Sequence, residues 1–229
     1  MNLFLPKWTC GVVLTGAMYL LSAPVVVANQ SWIIYPDSPA EISIEYRVLP
    51  RGHIEIRAQR DVQSSLGAFL HLLENVQAIG KWVDGAKSAT ILARPSYREF
   101  IVHTEFHGAF FIKDRSMITA SYWQQDIQTG KLTLKVDDVT DAHTVKTENV
   151  IMQDVQAIWT LTPKENGNVT IRYISSAHPG GQLPLFLARR KVLKSIIKTF
   201  NNLPKILADY QRPYTGIMEP ALQKKRSMQ

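Results

Sequence analysis

The last third of the chain constrains the fold most, because a strand-like pattern there gives way to one long helical one. Val169-Thr-Ile-Arg-Tyr-Ile-Ser-Ser alternates as a strand does and ends at His178-Pro179-Gly180-Gly181. From there to Leu207 apolar residues recur at helical spacing, with Pro184 suited to the first turn. At about 100° per residue, Phe186, Leu193, Ile197, Phe200 and Leu207 share one side, and Val192, Ile196 and Leu203 lie beside them. So broad an apolar arc needs an extensive dry partner surface. A curved antiparallel sheet meeting such a helix encloses either a solid core or an apolar hollow, and a hollow would hold a greasy molecule. Pro204 is expected to kink or end the helix.

The preceding sequence supplies the sheet. Ile42 to Val48 and His53 to Gln59 alternate around an Arg51-Gly52 turn, which reads as a hairpin. The period then changes. Leu66, Phe69, Leu70, Leu73 and Val76 recur at three and four, marking a helix that Asp61 or Ser64 is placed to cap. A short helical turn is expected from Ile79 to Trp82. Four strand patterns follow, at Ser88–Ala93, Arg98–Phe106, Arg115–Asp126 and Leu132–Val139. Gln153–Thr162 and Asn168–Ala177 form a final hairpin closed by Asn166-Gly167. Short connections favour antiparallel pairing, so the class is α+β, with helices on one face of a sheet.

The first 28 residues read as a secretory signal: Lys7 is their only charge, Gly11 to Leu21 is a mostly apolar core, and Val26-Val27-Ala28 offers a cleavage site. The competing reading is a membrane anchor, since Gly11 to Ala28 would span roughly 27 Å as a helix. Both place the folded part outside the cytoplasm, in the periplasm or secreted. Cys10, the single cysteine, falls in this leader, so the remainder has no disulfide or thiolate chemistry. Net charge is +7. Export argues against nucleic acid as partner; the excess suits either an anionic membrane surface or plain solubility. Lys191, Lys194, Lys198 and Lys205 fall on the helix face opposite the apolar arc, for head groups or for water. Residues 209–229, with Pro213, Gly216, Pro220 and Lys224-Lys225-Arg226, read as a mobile polar tail.

Catalytic and metal motifs are sparse. His103 and His107 lie four apart in a β-like run, which separates them by about 13 Å, too far to share one ion. Asp137-Asp138 would point to opposite faces of a strand. There is no Gly-x-Ser-x-Gly elbow and no phosphate-cradling loop. No metal or cofactor is expected.

Taken in order, Lys81-Trp82-Val83, Lys113-Asp114-Arg115 and Pro179-Gly180-Gly181 with Leu183-Pro184 resemble the START-like lipid-transfer domains of the helix-grip superfamily, over about residues 31–208. Phe110-Phe111 and Ser116 stand where family members often carry a Pro-Trp pair and a second Asp. The resemblance implies a curved antiparallel sheet gripping the C-terminal helix around an apolar cavity. It also implies a lipid or sterol-like ligand, and a monomer is expected. Its ligand contacts are spread over sheet and helix without a catalytic signature. On that reading the ligand-facing candidates are Trp82, Tyr97, Arg115, Trp123, Trp159 and Tyr173, with Phe186, Arg189, Leu193, Ile197 and Phe200 from the helix. Core packing is the competing role for each aromatic. Arg189, near the middle of the apolar arc, either reaches a ligand head or snorkels to water. Asp114 and Arg115 are expected to form an ion pair in their turn. An alternative is a cyclase- or aromatase-like enzyme of the same superfamily, which would need polar or acid–base groups deep inside, such as Tyr97, His103 or Arg115.

Overall fold

The computed structural model describes residues 31–50, 53–108, 112–178 and 184–219. The leader, the Arg51-Gly52 turn, Phe110-Phe111, Pro179-Gly180-Gly181, Leu183 and Lys224-Lys225-Arg226 lie outside them. Among the described residues ten strands form one sheet: β1 (Ile33–Ile34), β2 (Ser43–Val48), β3 (Ile54–Gln63), β4 (Ala86–Ser96), β5 (Glu99–Phe106), β6 (Arg115–Gln125), β7 (Leu132–Asp138), β8 (Val150–Ile151), β9 (Gln153–Pro163) and β10 (Asn168–His178). Their spatial order is β1-β2-β3-β10-β9-β7-β6-β5-β4, antiparallel throughout, with β8 off this path and parallel to β6. Helices α1 (Leu66–Glu74) and α2 (Ile79–Trp82) follow β3, and α3 (Leu185–Leu207) follows β10. α3 packs against β3, α1 and α2. This is the helix-grip α+β architecture.

One cross-strand row organises the inner face. Ile44 of β2 pairs with Ala58 of β3, Ala58 with Tyr173 of β10, and Tyr173 with Trp159 of β9. Trp159 then pairs with Leu134 of β7, and Leu134 with Trp123 of β6. Ile44, Ala58, Trp159, Leu134 and Trp123 are all buried. Since strand side chains alternate faces, a slip by one residue anywhere in this row would turn its members toward solvent. The β9–β10 hairpin that sets the register turns at Gly167, whose φ of +81° suits a residue without Cβ.

Three local expectations are corrected. The α1 cap is Ser65, whose hydroxyl accepts the Ala68 N–H at 3.1 Å, rather than Asp61 or Ser64. β3 runs on to Gln63 because Arg60 to Gln63 pair with β10, and Asp61 is held there by Lys164 and by the Thr170 hydroxyl. Nor does Pro204 end α3, which continues to Leu207. Proline has no N–H to give the carbonyl four residues back. That carbonyl, on Phe200, accepts instead from the Arg60 guanidinium at 2.9 Å, so no backbone acceptor is stranded.

The tail is the third correction. Residues 211–219 are strapped to the domain. Tyr214 lies edge-on to Trp123 and His71, and its hydroxyl donates to Glu74 at 3.0 Å. The Gln125 amide accepts from Met218 N–H and donates to Met218 carbonyl, both at 2.8 Å. The Glu219 carboxylate accepts from the first N–H groups of α1, Leu66 at 3.1 Å and Gly67 at 2.6 Å. Those groups have no partner within the helix, and the helix dipole favours an anion there. Gly67 makes room for the strap: a Cβ at this position would stand 2.9 Å from Tyr214 Cβ.

Glu219→Ala is expected to lower stability by about 1 kcal/mol, and Gly67→Ala to lower it as well by forcing the strap off. Urea denaturation midpoints measure both. Midpoints unchanged in the two variants would mean that the strap bears no load.

Candidate ligand-binding site

Trp159 is the hub of the interior. Its ring stacks on Phe200 of α3 (6.0 Å, 13° between planes) and lies 5.4 Å from Phe69 of α1, 6.1 Å from Trp82 of α2 and 4.3 Å from Tyr173. Sheet and all three helices therefore meet at one side chain. Among the described residues two voids border the sheet and helices, and they share no lining residue.

The first void, about 130 Å³, lies between α1, α2 and strands β4 to β7 and β9. Leu70, Phe100, Val102, Leu134 and Val136 give it apolar walls, and Trp82, Trp123, Trp159 and Tyr214 also line it. The Trp82 indole N–H is buried without a hydrogen-bond partner among the described residues. The second void, about 190 Å³, sits under the first half of α3. Ile54, Ile56, Phe106, Ile112, Ala177, Ala188 and Val192 make its apolar wall, and Asp84, Arg115, Ser175, Lys191 and Ser195 bring polar atoms. The space arises from small side chains. Ser175 and Ala177 pair with Ile56 and Ile54 across the β3–β10 ladder, and Ala188 faces them from α3.

The expected contact residues divide. Trp82, Trp123 and Trp159 line the first void and Arg115 the second. Tyr173, Leu193, Ile197 and Phe200 line neither; they pack in or against the core around Trp159. Tyr97 and Phe186 line neither void and are 57% and 63% exposed. Tyr97 sits in the β4–β5 turn, edge-on to Trp123, and Phe186 projects from the first turn of α3. The Arg189 guanidinium lies 5.4 Å from the centre of the Tyr46 ring and reaches neither void. The sequence reading missed Ile54, Ile56, Ala177, Ala188 and Lys191. The available signal was the run of small residues on β10 opposite bulky ones on β3, with Ala188 one helical turn past Pro184.

Charges around the second void are organised by the loops. Asp114 accepts from Gly108 N–H (2.8 Å) and from Lys87 (3.0 Å), and these hold its carboxyl below the usual range. Its pairing with Lys87 replaces the expected Asp114–Arg115 ion pair in the turn. Arg115 donates instead to the Lys113 carbonyl at 2.7 Å. Within the lysine stripe, Lys191 donates to the His107 carbonyl at 2.9 Å and Lys198 pairs with Asp84 at 3.3 Å.

No family model and no curated protein sequence matches the chain. Solved structures do. The STAR-related lipid transfer protein from Xanthomonas axonopodis aligns at 20% identity with a TM-score of 0.69, covering 77% of this chain and 98% of its own. Human STARD10 aligns at 14% identity and TM-score 0.67, over 86% of this chain and 77% of its own. Human StAR-related lipid transfer protein 5 gives 15%, 0.66, 79% and 88%. The chain therefore has the START-like fold. Among the described residues no helix is long and apolar enough to cross a membrane, and no three His, Cys, Asp or Glu side chains converge as metal ligands would.

Tyr214, at the wall of the first void, has its hydroxyl pKa pushed from 10.0 up to about 12, by burial first and then by the Glu74 carboxylate. The fold favours the neutral phenol. Its contribution is complete below pH 10.0 and disappears as pH climbs through about 12. Stability is expected to fall across that window, and less steeply in Tyr214→Phe. Alkaline titration of phenolate absorbance should lose a step near pH 12 in the variant; an unchanged curve would refute the assignment.

Proposed function

We propose that this chain is an exported binder of a lipid or another apolar small molecule, held between the sheet and the first half of α3. The observation that carries this reading is the second void, apolar over most of its wall, under a stretch of α3 where small side chains leave room. The START-like fold supports it, since the similar structures include proteins named for lipid transfer. Magnitudes define the binding mode. An apolar void of about 150 Å³ holds a benzene ring, so about 190 Å³ takes one end of an amphiphile. Hiding roughly 100 Å² of apolar surface there contributes about 2.5 kcal/mol, well short of the roughly 8 kcal/mol of micromolar affinity. Tight binding therefore needs α3 to move off the sheet and admit the rest of the chain.

The exposed first turn of α3 fits this role. Leu185, Phe186 and Leu187 are solvent-facing, and Arg189 and Arg190 follow directly. Apolar side chains beside cations suit transient contact with an anionic membrane surface. A binding role is favoured over an enzymatic one by what fills the interior. Of Tyr97, His103 and Arg115, the residues acid–base chemistry would need inside, Arg115 alone lines one of the two voids. A guanidinium does not exchange its proton near neutral pH.

Ala188→Phe is expected to fill the second void and weaken uptake of a fluorescent lipid by about ten-fold or more, with the urea midpoint little changed. Native mass spectrometry of the gently purified protein should show a bound small molecule. A ligand-free protein that takes up no lipid probe, or an Ala188→Phe variant that binds like the wild type, would sink this reading.

A further inference from the structure

We infer that the first void is a separate binding site, for a compact neutral molecule carrying one oxygen, an alcohol or a ketone. The inference stands apart from the role proposed for the second void, since the two share no lining residue. Thr104 of β5 and Thr119 of β6 line the first void from the inner face of the sheet, and they are only 6% and 5% exposed. Among the described residues neither hydroxyl makes a hydrogen bond. A third lining residue, Trp82, has its indole N–H buried without a partner. The remaining polar groups at this wall have neighbours of their own. The Tyr214 hydroxyl donates to Glu74 and stands near the Trp123 indole, the Asn75 amide donates to Tyr210, and the Ser121 hydroxyl donates to the Phe100 carbonyl.

A threonine on the open face of a strand needs no explanation, but a hydroxyl shut in without a partner is costly. Valine would fill the same space at these two positions without that cost. Val102, the residue paired with Thr119, lies two places before Thr104, so the threonines are diagonal neighbours across the β5–β6 ladder. Such neighbours stand roughly 7–8 Å apart at their backbones, and an oxygen set between them is within reach of either hydroxyl. Hydroxyls both give and accept hydrogen bonds, so an alcohol or a ketone satisfies them. Among the described residues the lining holds no charged side chain, which makes the guest neutral. An apolar void of about 150 Å³ holds a benzene ring, so about 130 Å³ takes a ring slightly smaller. Water alone fits the volume but not the walls. Leu70, Phe100, Val102, Leu134 and Val136 offer side chains that make no hydrogen bond, and a buried water needs about two to four polar partners. A compact apolar body covers those walls while its oxygen meets the threonines.

The test titrates the full chain with cyclopentanol, cyclopentanone and methylcyclopentane, the last having a similar shape and no oxygen. Threonine methyl and tryptophan indole NMR signals report binding. In the wild type an oxygenated probe should shift the signals of Thr104, Thr119 and Trp82. The double variant Thr104→Val with Thr119→Val keeps the shape of the wall, and its urea midpoint is expected to equal or exceed that of the wild type. It should bind the oxygenated probe about five-fold more weakly or worse, with methylcyclopentane affinity changed by less than about two-fold. A loss confined to one oxygenated probe would support the site and name its class. Wild-type signals that no probe moves would show a void that is empty or filled by water, and would overturn the inference. Oxygenated probes bound equally well by the double variant, or methylcyclopentane lost to the same degree, would overturn it too. A clearly lowered midpoint would assign the hydroxyls to packing, with the same consequence. None of these outcomes touches the reading of the second void, which Ala188→Phe tests.

Discussion

Trp159 holds the architecture together. A sheet of ten strands and three helices have few ways to share one core, and here they share it through a single large ring touching Phe69, Trp82, Tyr173 and Phe200. Aromatic pairs in these offset and tilted geometries contribute beyond their buried area. The cross-strand row that carries Trp159 also carries Ala58 and Tyr173 on one side and Leu134 and Trp123 on the other. Register, helix docking and core composition are thus one constraint, and the two voids described lie on either side of it.

That division makes α3 unequal along its length. Its second half is clamped, with Phe200, Leu203 and Leu207 wholly buried and the Phe200 carbonyl tied to Arg60. Its first turn exposes Leu185, Phe186 and Leu187. Regions with few buried apolar contacts open at low free-energy cost. A helix fixed at one end and loosely held at the other suits a binder whose void must widen, and the second void lies beneath the loose end. At the far side of the domain the strap ending in Glu219 closes α1 against the first void through Tyr214.

Periodicity made most of the elements legible. Most strands, the hairpin at Asn166-Gly167, α1, the short α2 and the long α3 correspond to runs readable from alternation or helical spacing. Failures came where a distant partner decided the outcome. Pro204 obeys its local rule by giving no N–H, yet Arg60, far off in sequence, satisfies the abandoned carbonyl. Residues 211–219 have the composition of a loose end, but Gln125, Glu74 and the α1 N-terminus hold them. The site was less legible than the fold. Large aromatics suggested contacts, and several proved to be the packing that fills the core. Small residues, Ala177 and Ala188, create the room, and smallness leaves a weak signal in a pattern.

The amino-acid sequence by itself determined the class of fold and the kind of surface α3 must meet, because apolar periodicity is a local property written along each segment. Only the tertiary structure decided where space is left and which charges border it. A void is set by the sum of side-chain volumes arriving from several elements. That Arg115 of β6 and Lys191 of α3 line one void depends on the placement of both elements in the fold, which no local stretch of the chain encodes.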